Sequence, residues 1–466
     1  MMRNLVVVAS MAMLCVLAAC GGGGSDSGST ESSSSSSAAS PASGTSTGSS
    51  TASTGSSATS STGSATTVSA APAAATSSAT TSASSSPAAT SSAAATASSS
   101  TAATTTAAVQ NTQVITVGPN TYAKLNVPLT SVTVCVPGTS TCQTIDNVIV
   151  DTGSYGLRLM ASAVTVSLPQ QTAAVGGKLL TCAAFGTGTA WGSVRTADVK
   201  LAGEVASGLP IQLIADPNYA TVPSDCSSQG AQDINAVSII GANGILGVGL
   251  QSADCPDCAT TAYPVYYGCT TSSSCTASTA ALAQQVTNPV SYFSQDNNGV
   301  IVQLPSVPVV GQSSVTGTLI FGIGTQSNNG LGKATIYTVD SSTNMMATQY
   351  NGTTYSTAFI DSGSNGLFFD DTSIPLCFTG SSFYCPTTTL SLAALMQGIN
   401  GVSSTTGFQV ENAITMALNG SWAMASLAAD VPGIFDWGLP FFFGRSVYTA
   451  INGKSTPGGN GPYFAY

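Results

Sequence analysis

Two segments, "NVIVDTGSYGLRL" (147–159) and "TAFIDSGSNGLFF" (357–369), write one pattern twice. In register, Asp151 matches Asp361, Gly153 matches Gly363 and Ser154 matches Ser364. Gly156 then matches Gly366, and Leu157 matches Leu367. Each copy runs an apolar stretch into Asp, then a hydroxyl residue, then Gly. The glycine permits a tight turn, so each Asp stands at the end of a buried strand on a rigid backbone. Burying one carboxylate alone is costly. Two that face each other can share a proton. Thr152 and Ser362 are placed to hydrogen-bond across the two loops, and Ser154 and Ser364 to orient the outer carboxylate oxygens. A water held between such a pair is poised to attack a carbonyl. The ionised carboxylate takes its proton, the protonated one polarises the carbonyl oxygen, and a proton later reaches the leaving amine. One Asp-hydroxyl-Gly-Ser alone reads as an ordinary turn. Two copies with matched flanks point to a facing pair.

The elements that must position these loops read mostly as strands. "YAKLNVPL", "NVIVDTG", "SVRTADVKLAG", "LPIQLIAD", "NGVIVQL", "GTLIFGIG" and "STAFIDSG" are short, β-branched and bounded by Gly, Pro or Asn. Helical periodicity is scarce. "TTLSLAALMQGI" (388–399) is the best helix, with Leu390, Ala394 and Leu395 near one face; "TASTAALAQQVT" and "SWAMASLA" are weaker ones. The pattern predicts an all-β chain of two related lobes, 109–326 and 327–466.

Composition removes whole classes of chemistry. The chain has 466 residues and no histidine, which excludes Ser-His-Asp, Cys-His and His-ligated metal mechanisms. Its 9 Lys plus Arg stand against 19 Asp plus Glu, a net charge of −10 that argues against nucleic-acid binding. No metal, nucleotide or haem signal stands out in the sequence, so no cofactor is expected.

The first 20 residues form an export signal: Arg3, then a largely apolar run too short for a lasting membrane span. Leu17-Ala18-Ala19-Cys20 resembles a bacterial lipobox, which implies lipidation at Cys20 and a membrane anchor. The other reading is an ordinary cleaved signal followed by a free cysteine. Gly21 after the cysteine favours outer-membrane sorting by the same resemblance. Residues 21–108 are almost wholly Ser, Thr, Ala and Gly and read as a disordered tether. Of twelve cysteines, ten remain beyond Cys15 and Cys20, an even number that suggests five disulfides in an exported protein. Local loops are the simplest guess: Cys135 with Cys142, Cys182 with Cys226, Cys255 with Cys258, Cys269 with Cys275, and Cys377 with Cys385. A four-thiolate zinc site at Cys255, Cys258, Cys269 and Cys275, or a redox pair at "CPDC", stays open.

From about 115 to 455 the chain resembles pepsin-like aspartic proteases. "VIVDTGSYGLRL" and "AFIDSGSNGLFF" are similar to the two catalytic loops, and "NGILGVG" (243–249) to the segment that threads beneath the first. "GTLIFGIGTQSNNG" (317–330) resembles the strand and turn before the lobe crossing, and "WGLPFFFGRSVYTAING" (437–453) the last threading segment and C-terminal strand. "AFGTGTAWG" (184–192) resembles the flap that closes over a bound peptide. The resemblance implies a bilobal fold with a central cleft, Asp151 and Asp361 as catalytic pair, and Thr152, Gly153, Ser154, Ser362, Gly363 and Ser364 as their support. It implies a flap of Phe185, Gly186, Thr187 and Gly188 and an extended peptide or protein as substrate.

Three departures stand out. Phe185 occupies a flap position usually filled by Tyr and lacks its anchoring hydroxyl; Trp191 either packs in compensation or is plain core. Asp436 precedes Trp437 and Gly438 where two apolar residues are expected; the expectation is a turn at the surface, the alternative a place near the second catalytic loop. No propeptide is evident. The expected function is an envelope-anchored aspartic endopeptidase. The alternative is a peptide- or ligand-binding surface lipoprotein on the same fold, without turnover.

Overall fold

Alternation of apolar and polar residues dictates strands almost throughout, and strands are what form. A computed structural model describes residues 110–230 and 232–466. The expected signal at 1–20, with Cys20, and the tether at 21–108 lie outside the described residues. Fifteen strands make one sheet and seven a second, with a two-stranded ribbon besides. The α-helices among the described residues span four to six residues each. None is long and apolar enough to cross a membrane. This is the all-β, two-part architecture that the pepsin-like resemblance implies.

The strand Cys142–Asp151 shows how sequence sets the frame. Its first residues alternate in exposure, and its last four, Val148 to Asp151, are all buried. A continuous apolar run of that kind belongs to a strand covered on both faces. It lies parallel to Gly244–Val248, with Val150 opposite Leu246 and Asp151 opposite Gly247. Gly244–Val248 in turn runs antiparallel to Tyr155–Met160. The segment 244–248 is therefore threaded between the two arms that lead into and out of the Asp151 loop.

The second half repeats the arrangement. Thr353–Ile360 lies parallel to Phe435–Trp437, with Ile360 opposite Trp437, and Phe435–Trp437 runs antiparallel to Leu367–Phe369. Even the outer neighbours correspond. Tyr155–Met160 pairs in parallel with Glu204–Ile214, and Leu367–Phe369 with Ala428–Ala429. The sequence echo is thus a structural echo.

The large sheet carries strands from both sides of residue 326. Thr112–Val117 pairs with Val315–Phe321, then come Gly299–Leu304, Arg445–Ala450, Tyr463–Ala465 and Ile336–Thr338 in antiparallel order. The seven-stranded sheet lies wholly after residue 326. Val148, Val150, Leu157 and Leu246 share one core with Ile360, Leu367 and Trp437. Around Trp437 the core is aromatic. Phe435 lies 4.7 Å from Trp437 and stacks on Phe369 at 5.3 Å, between ring centroids. Such pairs contribute about 0.5–1.5 kcal/mol each beyond burial. The Trp437 indole N–H donates to Thr348 Oγ1 at 3.0 Å, so its polar edge is satisfied.

All five local disulfides form as expected: Cys135–Cys142, Cys182–Cys226, Cys255–Cys258, Cys269–Cys275 and Cys377–Cys385. The zinc alternative falls, because its four thiols are consumed.

Several expected elements differ. The expected helix at 388–399 is the strand Leu390–Gln397, paired on one side with Ser403–Val410 and on the other with Met346–Tyr350. Leu390, Leu392, Ala394 and Met396 face the core at period two, and two flanking ladders outweigh the helix preference of Ala and Leu. "TASTAALAQQVT" shrinks to a single 3-10 turn, Leu282–Gln284. "SWAMASLA" is irregular; its Trp422 and Ala423 amides donate to Gln312 O. The helix nearby is Ala413–Leu418, capped by Asn412, whose side chain accepts from Thr415 N at 3.0 Å. "YAKLNVPL" is a loop up to Leu129. Asn120 Oδ1 accepts from the Tyr122 and Lys124 amides, so a side chain supplies what a ladder would have.

Candidate active site

Asp151 ends its strand and Asp361 follows its own by one residue. Each loop turns at once, and each carboxylate is gripped by the turn. Asp151 Oδ1 accepts from Gly153 N at 2.8 Å and Ser154 N at 3.2 Å, and its Oδ2 from Ser154 Oγ at 2.5 Å. Asp361 Oδ1 accepts from Gly363 N at 2.7 Å, and its Oδ2 from Ser364 Oγ at 2.8 Å. Ser154 and Ser364 each donate to Oδ2 of the aspartate in their own loop.

The two loops are interlocked. Thr152 N donates to Ser362 Oγ at 3.1 Å, and Ser362 N donates to Thr152 Oγ1 at 2.9 Å. Ser362 Oγ donates onward to Val150 O at 2.7 Å. Thr152 and Ser362 are 2 % and 0 % exposed, so these bonds are sheltered from water.

Glycine is required on each loop by the carboxylate of the other. A Cβ on Gly153 would stand 2.5 Å from Asp361 Cγ, and one on Gly363 would stand 2.6 Å from Asp151 Oδ1. Each carboxylate therefore lies against the opposite loop's backbone. The threading segments need glycine for a similar reason. A Cβ on Gly247 would meet Tyr155 backbone at 2.7 Å, and one on Gly438 would meet Gly366 O at 2.0 Å.

Asp151 and Asp361 are buried, while Gly153 and Gly363 beside them are exposed. Asp151 and Asp361 keep 7 % and 9 % of their exposure. Burial pushes the Asp361 carboxyl well above the usual carboxylate range, and the neighbouring Asp151, which repels its charge and hydrogen-bonds to it, pushes it the same way. Asp361 also has fewer donors than Asp151, two against three. Two carboxylates so placed can share one proton, and the upward shift makes Asp361 the harder of the two sites to ionise against its ordinary value.

Phe185, Gly186, Thr187 and Gly188 form a two-residue turn, Phe185 pairing with Gly188 between the strands Lys178–Phe185 and Gly188–Leu201. The turn is tied at its side: Thr189 N donates to Gln232 O at 2.9 Å and Gln232 Nε2 to Thr187 O at 3.2 Å. Phe185 packs on the cluster of Val127, Ile149, Ala242 and Ile245, which includes the strand leading to Asp151. Trp191 is plain core. Its ring meets Tyr267 edge-on at 5.2 Å and its N–H donates to Tyr219 O at 2.8 Å.

Two groups at the site were missed or misplaced by sequence reasoning. Arg158 lies in the strand after the first loop and is 3 % exposed. It donates to Gln212 Oε1 and to Asp254 Oδ2, both at 2.7 Å, while Tyr266 OH donates to Asp254 Oδ1 at 2.5 Å. Its guanidinium stands 5.8 Å from the Phe185 ring centroid. A charge inside the apolar run "YGLRLM" was the available signal. Asp436, expected at the surface, is 3 % exposed. It sits mid-strand beside the second loop because Trp437 and Phe435 anchor that strand in the aromatic core. Burial pushes its carboxyl well above the usual range; Asp361 and Asp151 push it further up, and Ser364 pulls it down by hydrogen bonding.

Asn126 ties the halves together outside the loops. Its Nδ2 donates to Asn365 O at 2.9 Å and Met424 O at 2.8 Å, and its Oδ1 accepts from Met424 N at 2.7 Å. Two cavities, of 470 and 400 Å³, are lined by other residues, Lys178 and Tyr219 in one and Phe408, Trp437 and Arg445 in the other.

Among solved structures the chain is similar to an aspartic proteinase from Irpex lacteus. The identity is 18%, the TM-score 0.46, and the match covers 76% of this chain and 96% of that chain. No curated protein sequence matches it. Residues 107–466 match a family described as "Protein of unknown function (DUF3443)", and the chain belongs to that family.

Proposed function

We propose that this protein is an aspartic endopeptidase, held at the bacterial cell envelope through Cys20, that hydrolyses peptide bonds with a water activated by Asp151 and Asp361. The observation that carries the reading is the interlocked pair. Two buried carboxylates face each other, each against the other loop's glycine, and burial together with Asp151 pushes the Asp361 carboxyl up.

The chemistry follows from that asymmetry. Asp151 accepts a proton from the water as it attacks the carbonyl carbon. Asp361 donates its proton toward the carbonyl oxygen, where charge develops. The resulting tetrahedral centre collapses as a proton passes to the leaving nitrogen. A peptide lying extended across the pair would meet the exposed backbone of Gly153 and Gly363. The turn at Phe185–Gly188 is the segment proposed to close over it.

Cleavage of a mixed peptide library by the full-length protein, from pH 3 to 8, tests the reading. Wild type is expected to cut, and Asp151→Asn and Asp361→Asn to lose about 10³-fold or more in rate while staying folded. Peptide binding without cleavage in folded wild type would replace this reading with the binding lipoprotein.

A further inference from the structure

The strand Tyr155–Met160, which leaves the Asp151 loop, carries a cation that the two-carboxylate chemistry leaves unused. Arg158 lies opposite Gln212 on one side and Ile245 on the other. Its Nη1 is spent on Gln212 Oε1 and its Nη2 on Asp254 Oδ2, each at 2.7 Å. Its Nε is buried with no hydrogen-bond partner. A buried N–H without an acceptor is costly, and an apolar side chain would fill this run without that cost. What the guanidinium meets instead is a ring: its Cζ lies over Phe185, 5.8 Å from the ring centroid. The face of a phenyl ring is negative and attracts a cation, more so where water is excluded.

Phe185 is where the turn 185–188 meets the Asp151 loop. It packs on the cluster that includes Ile149, from the strand entering that loop, and Ile245, from the segment threaded beside it. With Arg158 from the leaving strand, all three strands that build the first Asp loop contribute to the seat of one ring. Phe185 has no hydroxyl with which to hold the turn, so its ring face is the handle it offers. A second route runs through Gln212, which is fully buried. Arg158 holds its Oε1, and its Nε2 donates to Thr181 O at 3.0 Å and Ala190 O at 3.1 Å, one on each strand of the hairpin that ends in the turn. The guanidinium thus reaches the hairpin twice, at the stem by hydrogen bonds and at the tip by the ring. Asp254, whose other oxygen accepts from Tyr266 OH at 2.5 Å, keeps the cation in place.

We propose that Arg158 is a positioning residue of the flap: its guanidinium, fixed by Asp254 and Gln212, holds the Phe185 ring and so sets the resting place of the turn 185–188 against the Asp151 loop, ready for an extended peptide. The inference rests on the aspartic-peptidase reading for its effect on substrate binding, but the contact between Arg158 and Phe185 can be measured without turnover.

The test uses the full-length protein with trifluorophenylalanine in place of Phe185. Fluorine draws electrons from the ring face and leaves the shape nearly unchanged, so packing is kept while the attraction to the cation is lost. Amide hydrogen exchange over residues 185–189 is expected to quicken by about 2- to 5-fold, and KM for a cleaved peptide to rise by about the same factor, with kcat changed less. A ring that only fills space would leave both unmoved. The same replacement in Arg158→Leu with Asp254→Asn, where cation and counter-ion go together, is expected to change neither. An equal effect there would overturn the role of Arg158. If that double variant does not fold, rings with one, two and three fluorines at position 185 decide, the effect growing with each fluorine. Faster exchange at the turn in a protein that cuts nothing would uphold the contact and remove the peptidase reading. Cleavage with exchange and KM unmoved by fluorine would overturn the role of Arg158 and spare the peptidase.

Discussion

Thr152 and Ser362, 210 residues apart, satisfy each other's backbone amides with their hydroxyls. Neither loop can shift without breaking a bond in both. The orientation of Asp151 is therefore fixed partly by the second half of the chain, and that of Asp361 by the first.

Ser362→Ala should unpair the Thr152 amide and Val150 O, both buried. A loss of about 1–3 kcal/mol in unfolding free energy is expected from denaturant titration. In a double-mutant cycle, Thr152→Ala should add little once Ser362 is gone, because the two belong to one interlock.

Gly363→Ala should leave the fold intact and remove activity. Its backbone carries no left-handed strain, but the added Cβ would press within 2.6 Å of Asp151 Oδ1. Displacing that carboxylate by an ångström costs about 10²-fold in rate. Peptide cleavage beside a thermal melt separates the two effects.

Stability should fall as pH rises through the acid-to-neutral range. Asp361 and Asp436 hold protons more tightly folded than unfolded. Their contribution is full below the unfolded value of about 4 and is lost as pH climbs through the folded values. Asp216 and Asp371 are shifted down and act oppositely, losing stability in acid. Asp436→Asn should therefore melt nearly with wild type at pH 4 and gain on it toward pH 8, by up to about 1.4 kcal/mol per pH unit. Melting curves across that range check the sign; a gap that narrows with pH would contradict it.

Arg158→Leu should cost about 3–5 kcal/mol at neutral pH, because it strands Asp254 without its cation. Urea unfolding reads the loss. Restoring a neutral partner with Asp254→Asn in the same chain should recover part of it.

Much of this was legible in the residues. The paired Asp loops, the threading glycines and the local disulfides are short-range or repeated signals, and each prescribes its own geometry. The strand Leu390–Gln397 was hidden because "LSLAALMQ" satisfies period two and helix propensity at once, and only its neighbours decide. Arg158 and Asp436 were harder for another reason. A charge in an apolar run announces a buried partner or a shifted proton, but the groups that decide lie far along the chain: Asp254 for Arg158, and for Asp436 the burial of a strand whose neighbours are Phe359 and Phe368. Asn126 is similar, since nothing local in "KLNVPL" hints that its amide spans to Asn365 and Met424.

The interlock between Thr152 and Ser362 also sets when the site can exist. Closing a loop of 210 residues is slow and entropically costly, and its reward comes only when both halves are in place. A nascent or half-folded chain has two lone aspartates on separate turns, neither of which can borrow the other's proton. The facing pair of carboxylates can therefore exist only once both halves of the chain are in place.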